Sequence, residues 1–214
     1  MALHPTAHWR RDYRSAELDE LHCPDEPWPL FDTWLAEAKE AGEPEANAVS
    51  LATVDRDGWP DARIVLLKGY DEQGFTFFSN YNSAKGMALA ATERASLCFW
   101  WPVLQRQVRA QGSVAQLSTA AADLYFASRP RDSQLAAWAS QQSEVLPDRA
   151  ELEERFFHAQ QRFAGQVVDR PAHWGGWLLQ PRRVEFWQGR PNRLHDRVSY
   201  RAVEEGWLRQ RLAP

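Results

Sequence analysis

Cysteine is almost missing from this chain: Cys23 and Cys98 are the two in 214 residues. That excludes a disulfide framework. No CxxC, no His/Cys group at zinc spacing and no HExxH occurs, so no metal site is expected. Cys98 lies in an apolar run and reads as a buried thiol, whereas Cys23 lies among prolines. No apolar run reaches membrane-spanning length, and MALHPTAHWRRDYR at the start lacks the apolar core of a secretion signal. The expectation is a cytoplasmic protein with no membrane partner. An excess of positive charge is missing too: 29 acidic residues face 25 basic ones, for a formal net charge of -4. General nucleic-acid binding wants the opposite balance. Neither GxGxxG nor a Walker A motif is present, so a Rossmann loop or P-loop cannot be holding phosphate. Lysine is scarce: Lys39, Lys68 and Lys85 are the three, so arginine supplies 22 of the 25 basic side chains. No arginine is therefore informative by type alone.

What the chain does have is tryptophan, eleven in all, a residue used in cores, interfaces and ring stacking. Residues 1–29 are polar and punctuated by Pro24, Pro27 and Pro29, which reads as a mobile arm. From residue 30 to 214 a single domain is expected. Residues 30–41 place Leu30, Phe31, Trp34, Leu35 and Ala38 at helical spacing before Gly42. The period then shortens. Segments 47–54, 62–68, 75–79, 96–101 and 106–117 read as strands, with turns at Asp55–Gly58 and Asp71–Gly74. Gly112 marks a bulge or bend. Helices are expected over 83–92, 119–127, 133–140 and 148–164, with Ser83 and Asp148 as N-caps. Short strands return between Trp174 and Leu212. Strands joined by tight turns, with helices between groups, predict a mainly β, barrel-like sheet with peripheral helices.

Several segments carry anion chemistry. Arg63-Ile64-Val65-Leu66-Leu67-Lys68 is an apolar strand with cationic ends, and a buried strand with charged ends fits it equally well. Ser79, Ser83 and Lys85 surround a helix start, where first-turn N–H groups lack partners. Tyr125 and Arg129 share a helix face, and Arg131 and Ser133 follow Pro130. Hydroxyl, guanidinium and helix start together suit a phosphate ester, though a solvated helix end has the same composition. Near the end, Arg193, Leu194, His195 and Arg197 follow Trp187; in a strand, Arg193, His195 and Arg197 would share a face. Flanking cations would favour neutral His195.

Taken together, RIVLLK at 63–68, SRPRDSQ at 128–134, WGG at 174–176, VEFWQG at 184–189, RLHDR at 193–197 and RLAP at 211–214 resemble the flavin-dependent pyridoxine/pyridoxamine 5'-phosphate oxidases, in order and spacing. The resemblance implies an FMN-binding split barrel working as a homodimer, with FMN between subunits. It implies FMN contacts at Arg63, Ile64, Val65, Leu66, Leu67, Lys68, Phe78, Ser79, Lys85, Gln107, Gln142, Ser143, Trp187 and Arg197. It places substrate phosphate at Lys68, Tyr125, Arg129 and Ser133, and substrate contacts also at Arg10, Arg11, Asp12, Tyr13 and Leu194. Arg193 and His195 would act on the substrate ring. The implied reaction oxidises pyridoxamine or pyridoxine 5'-phosphate to pyridoxal 5'-phosphate, with oxygen consumed and hydrogen peroxide formed. The alternative is a split-barrel protein that binds flavin or pyridoxal phosphate without turnover. Two positions depart from the family pattern: Ala84 stands where arginine is common, and Gln105 where glutamate is frequent.

Overall fold

The computed structural model describes Tyr13 and residues 16–214. The arginines and aspartate at 10–12, expected to touch substrate, lie outside the described residues. Among the described residues, eight strands form one hydrogen-bonded sheet: β1 Ala48–Val54, β2 Pro60–Asp71, β3 Gly74–Asn80, β4 Arg94–Trp101, β5 Arg106–Gln116, β6 Trp174–Gln188, β7 Asp196–Ala202 and β8 Trp207–Arg211. Their order is β3-β2-β1-β4-β5-β6-β7-β8, and β3 also pairs with β6. Six strands therefore close into a barrel, and β7 and β8 continue from β6. Helices α1 Pro27–Glu40, α2 Ala84–Thr92, α3 Thr119–Ser128, α4 Arg131–Ala139 and α5 Arg149–Arg162 complete the fold. No helix among the described residues is long and apolar enough to cross a membrane.

Most elements follow from local rules. Ser83 caps α2, its Oγ accepting from Gly86 N at 3.2 Å, and Asp148 caps α5 by accepting from Glu151 N at 3.0 Å. Helix α1 begins at Pro27 rather than Leu30. Prolines at its first turn remove no needed donor, because those N–H groups have no intrahelical partner. Helix α4 starts at Arg131, so Ser133 lies inside its first turn instead of opening it.

The chain falls into two compact units, and β4, β5 and β6 each run through both. One unit comprises Ala48–Leu97 and Gln111–Pro181. Within it, β1 pairs with β2 and β2 with β3 as successive hairpins. Strand β3 lies antiparallel to β6, with Phe75 opposite Leu179 and Asn80 opposite Trp174. Phe126, Leu135, Ala159, Phe163, Val168 and Trp174 bury a core between helices and strand. The other unit comprises the residues up to Asn47, Cys98–Ala110 and Arg182–Pro214. There Phe31 and Trp34 of α1 meet Phe99 and Phe186 edge-on, each pair at 5.2 Å between ring centroids. The segment before α1 is tied to the sheet: Leu18 N donates to Asp196 at 3.1 Å, and Tyr200 OH donates to Pro24 O at 2.8 Å.

Gly112 serves a close backbone approach. A Cβ there would stand 1.8 Å from Gln180 O and 2.6 Å from its carbonyl carbon. Backbone cannot swing away as a side chain can. Gly112→Ala is expected to destabilise the protein by about 1–3 kcal/mol, the usual range for overpacking. Urea unfolding would measure it, and an unchanged midpoint would show that β5 and β6 separate freely there.

Candidate active site

In the unit built around β1–β3, a cavity of about 570 Å³ opens beside β2 and β3. Ile64, Val65, Leu66 and Lys68 of β2 line it, with Phe78 and Ser79 of β3 and Lys85 of α2. Tyr125 and Arg129 arrive from the end of α3, Ser133 from α4, and Gln142 from the loop that follows. Residues up to 78 positions apart in sequence thus share one space.

Three predicted members of this group, Arg63, Leu67 and Ser143, do not line the cavity. Leu67 is buried on the other face of β2, at 5% exposure. The Arg63 side chain turns onto β1, donating to Leu51 O at 3.1 Å and Thr53 Oγ1 at 2.8 Å, and pairing with Asp61. A period of two puts Arg63, Val65 and Leu67 on one face of the strand and Ile64, Leu66 and Lys68 on the other, and the cavity follows that division except at Val65. The alternation ends at Lys68. Leu67 pairs with Phe77 and Gly69 with Thr76, so β2 carries one extra residue, Lys68, in a bulge. A bulge re-aims a side chain at a strand edge.

The cations in the cavity are unequally partnered. Lys85 Nζ donates to Gln142 Oε1 at 2.9 Å and lies 3.5 Å from Ser83 Oγ. Burial, then the nearby Arg63 charge, lowers its pKa below the usual lysine range. Gln142 and Ser143 are held against α2, since Ala84 N donates to Ser143 Oγ at 3.1 Å. Ala84 itself is exposed. Arg129 packs over Trp174, with 4.4 Å from its guanidinium carbon to the ring centre, and its Nη1 is buried without a hydrogen-bond partner. Burial lowers its pKa. Phe78 and Tyr125 stack at 3.9 Å, and Phe78 stacks on Trp174 at 5.4 Å. Trp174 was missed as a lining residue. Its signal was the following Gly175-Gly176: a Cβ at Gly176 would stand 2.8 Å from the Phe78 ring, so the missing side chain admits that ring.

A second group of candidate residues forms within the other unit. Trp187 and His195 rings lie 4.6 Å apart, and Tyr13 meets them at 5.9 and 5.8 Å. Here the strand expectation fails. Pro191–Arg193 is a short 3-10 turn, Asn192 and Arg193 have φ of 56° and 62°, and β7 begins only at Asp196. Arg193, His195 and Arg197 therefore share no strand face. Pro191 and the left-handed residues break the alternation. Arg193 and Leu194 are exposed. Arg190 N donates to His195 Nδ1 at 3.1 Å, which requires that nitrogen to be unprotonated. Burial first, then Arg193, pushes the His195 pKa down, against a smaller upward pull from Asp196. Gln107 accepts from Cys98 Sγ at 3.2 Å. Arg197 is anchored to Glu185, which the sequence marked only as part of VEFWQG, with no role. Burial raises the Glu185 pKa, but Arg197 and Arg109 bring it below the usual carboxylate range.

The chain is similar to known proteins over nearly its whole length. Residues 35–163 match a family model described as pyridoxamine 5'-phosphate oxidase, and residues 174–214 match the pyridoxine 5'-phosphate oxidase C-terminal dimerisation region. The chain is 52% identical to a pyridoxine/pyridoxamine 5'-phosphate oxidase of Pseudomonas fluorescens strain SBW25, covering 97% of this chain and 98% of that one. It is 53% identical to the one from Azotobacter vinelandii, with the same coverage. Among solved structures, PhzG from Burkholderia lata 383, in complex with tetrahydrophenazine-1-carboxylic acid, superposes with a TM-score of 0.88 at 28% identity, over 95% of this chain and 100% of that one. An FMN-binding protein from Nostoc punctiforme shares the fold, with a TM-score of 0.69 at 18% identity over 86% of this chain and 97% of that one. By fold and by sequence, the chain belongs to the pyridoxamine 5'-phosphate oxidase family.

Proposed function

We propose that this protein oxidises pyridoxamine 5'-phosphate or pyridoxine 5'-phosphate to pyridoxal 5'-phosphate, as a homodimer that holds FMN between its subunits. The observation that carries the reading is the cavity, which gathers Arg129, Tyr125, Ser133 and Lys68 around one space. The donor set fits phosphate. Arg129 has a buried Nη1 with no acceptor, and Lys85 has only neutral hydrogen-bond partners. Both gain from a dianion, because charge-assisted hydrogen bonds are the strong ones. Family membership and 52% identity to curated oxidases support the same reading.

Within it, FMN would be held by Ile64, Val65, Leu66, Lys68, Phe78, Ser79, Lys85, Gln107, Gln142, Ser143, Trp187 and Arg197, with Arg63 acting on the field at Lys85. Bound FMN would supply the two-electron acceptor, and oxygen would take the electrons on as hydrogen peroxide. The chain's own residues do the placing. Arg129, Tyr125, Ser133 and Lys68 fix the substrate phosphate, so remote binding energy aligns the reacting carbon. Arg193 orients the ring with a rigid fork. His195 is neutral at pH 7, its Nδ1 accepts from Arg190 N, and its proton sits on Nε2, which can donate to a substrate heteroatom. Residues 174–214 match a dimerisation region, which supports the homodimer.

Anaerobic mixing of the FMN-loaded protein with each B6 phosphate tests the reading. The flavin absorbance is expected to bleach with at least one of them. Intact absorbance with both would sink the proposal.

Arg129→Ala is expected to raise the substrate dissociation constant about 10- to 150-fold, equivalent to about 1.5–3 kcal/mol for a charged hydrogen bond. Arg129→Met should leave the ligand-free protein as stable as wild type or more so, because an unsatisfied buried donor is removed and the stem retained. Stopped-flow flavin reduction and urea unfolding give the two readouts. Unchanged substrate affinity would remove Arg129 from the phosphate site.

His195 is expected to titrate below the ordinary histidine value of about 6.5 in ligand-free protein, followed by NMR. The folded value lies below the unfolded one, so protons favour the unfolded state. This contribution to stability is complete above about pH 6.5 and is lost as pH falls toward the folded value. A midpoint at or above the ordinary value would show that the Arg190–His195 contact does not persist in solution.

A further inference from the structure

The Glu185 side chain is 2% exposed and accepts from three arginines. Arg109 Nη2 lies 2.6 Å from Oε1, Arg183 Nη2 lies 2.8 Å from Oε2, and Arg197 brings Nε and Nη2 each to 2.9 Å from Oε1. One carboxylate therefore faces three guanidiniums, and the group keeps surplus positive charge. Arg183 is held back by a second bond, its Nε donating to Ser199 Oγ at 3.1 Å.

The sheet register explains the reach. Across β6 and β7, Glu185 stands opposite Ser199 and Trp187 opposite Arg197. Arg197 thus does not pair with its direct neighbour but reaches diagonally back to Glu185. Its Nη1 donates to Ala213 O at 2.7 Å. The same terminal segment is fixed to the Arg197 backbone, Leu212 N donating to Arg197 O at 2.9 Å. A guanidinium has five N–H donors. Nε and Nη1 each commit a donor, and Nη2 lies beside the same carboxylate oxygen, which sets the plane of the group and leaves donors over on Nη1 and Nη2. A planar fork with its plane already fixed loses little further entropy when it meets an acceptor.

We infer that Glu185, helped by the Ala213 carbonyl, is a positioning residue: it fixes Arg197 as a pre-aimed, still positively charged fork for the cofactor. This rests on the proposed assignment of Arg197 to FMN. Both carboxylate oxygens of Glu185 are engaged by arginines of the chain, so its role is assigned through Arg197.

The FMN dissociation constant, from quenching of flavin fluorescence, tests this in a four-protein cycle of wild type, Glu185→Gln, Arg197→Ala and the double variant. Glu185→Gln keeps the size and one acceptor oxygen but removes the charge. It is expected to weaken FMN binding tenfold or more, and Arg197→Ala at least as much. The double variant is expected to match Arg197→Ala within about twofold, because Glu185 would act only through Arg197. A general loss of structure would instead multiply the two losses, and that outcome overturns the inference. Weakened binding in Arg197→Ala with wild-type binding in Glu185→Gln overturns it as well, while leaving the cofactor assignment intact. Wild-type binding in Arg197→Ala would remove the cofactor assignment of Arg197 and the inference with it. Should Glu185→Gln fail to fold, Glu185→Asp serves in the same cycle, since it keeps the charge but withdraws the carboxylate by one methylene.

Discussion

The pairing of β3 with β6 is the constraint on which the cavity depends. Phe78 lies opposite Gly176 and Asn80 opposite Trp174. That register brings the Phe78 ring onto Trp174 and sets the wall on which Tyr125 stacks. It also closes the barrel, so β3 has a partner on each side. The contact is long-range: Tyr81 OH donates to Gly176 O across 95 residues of chain. Its requirements are steric. Gly74 and Gly112 both face β6 backbone where a Cβ would collide, and Gly176 makes room for Phe78.

On that frame, the two groups of cations are held by opposite means. Arg129 is buried against Trp174 with a donor left unmatched. Such an atom costs free energy in the empty site and returns it to an anion that fits. Arg197 is instead oriented by Glu185 and the Ala213 carbonyl, and the surplus charge comes from having three arginines on one carboxylate. The first arrangement stores affinity in an unmet hydrogen bond. The second stores it in fixed orientation. Each arrangement suits an anionic group.

Local signals in the sequence were enough to determine most of the elements. Turn residues at 55–58 and 71–74, the caps Ser83 and Asp148, and the apolar alternation of β1 to β3 act over a few residues, and the strands and helices appear where those signals put them. The residue types for anion binding were legible as well, and the joint motifs identified the family. Three things were left to tertiary structure. The bulge at Lys68 depends on the register against β3, which no run of β2 alone contains. The turn at Pro191–Arg193 overrides alternation because two residues adopt positive φ. Glu185 looked like an ordinary strand residue, and only the meeting of β5, β6 and β7 makes its carboxylate the common partner of Arg109, Arg183 and Arg197. Sequence fixes what a side chain can donate or accept; which partners it meets, and which donors go unmatched, is decided by strands that join residues far apart in the chain.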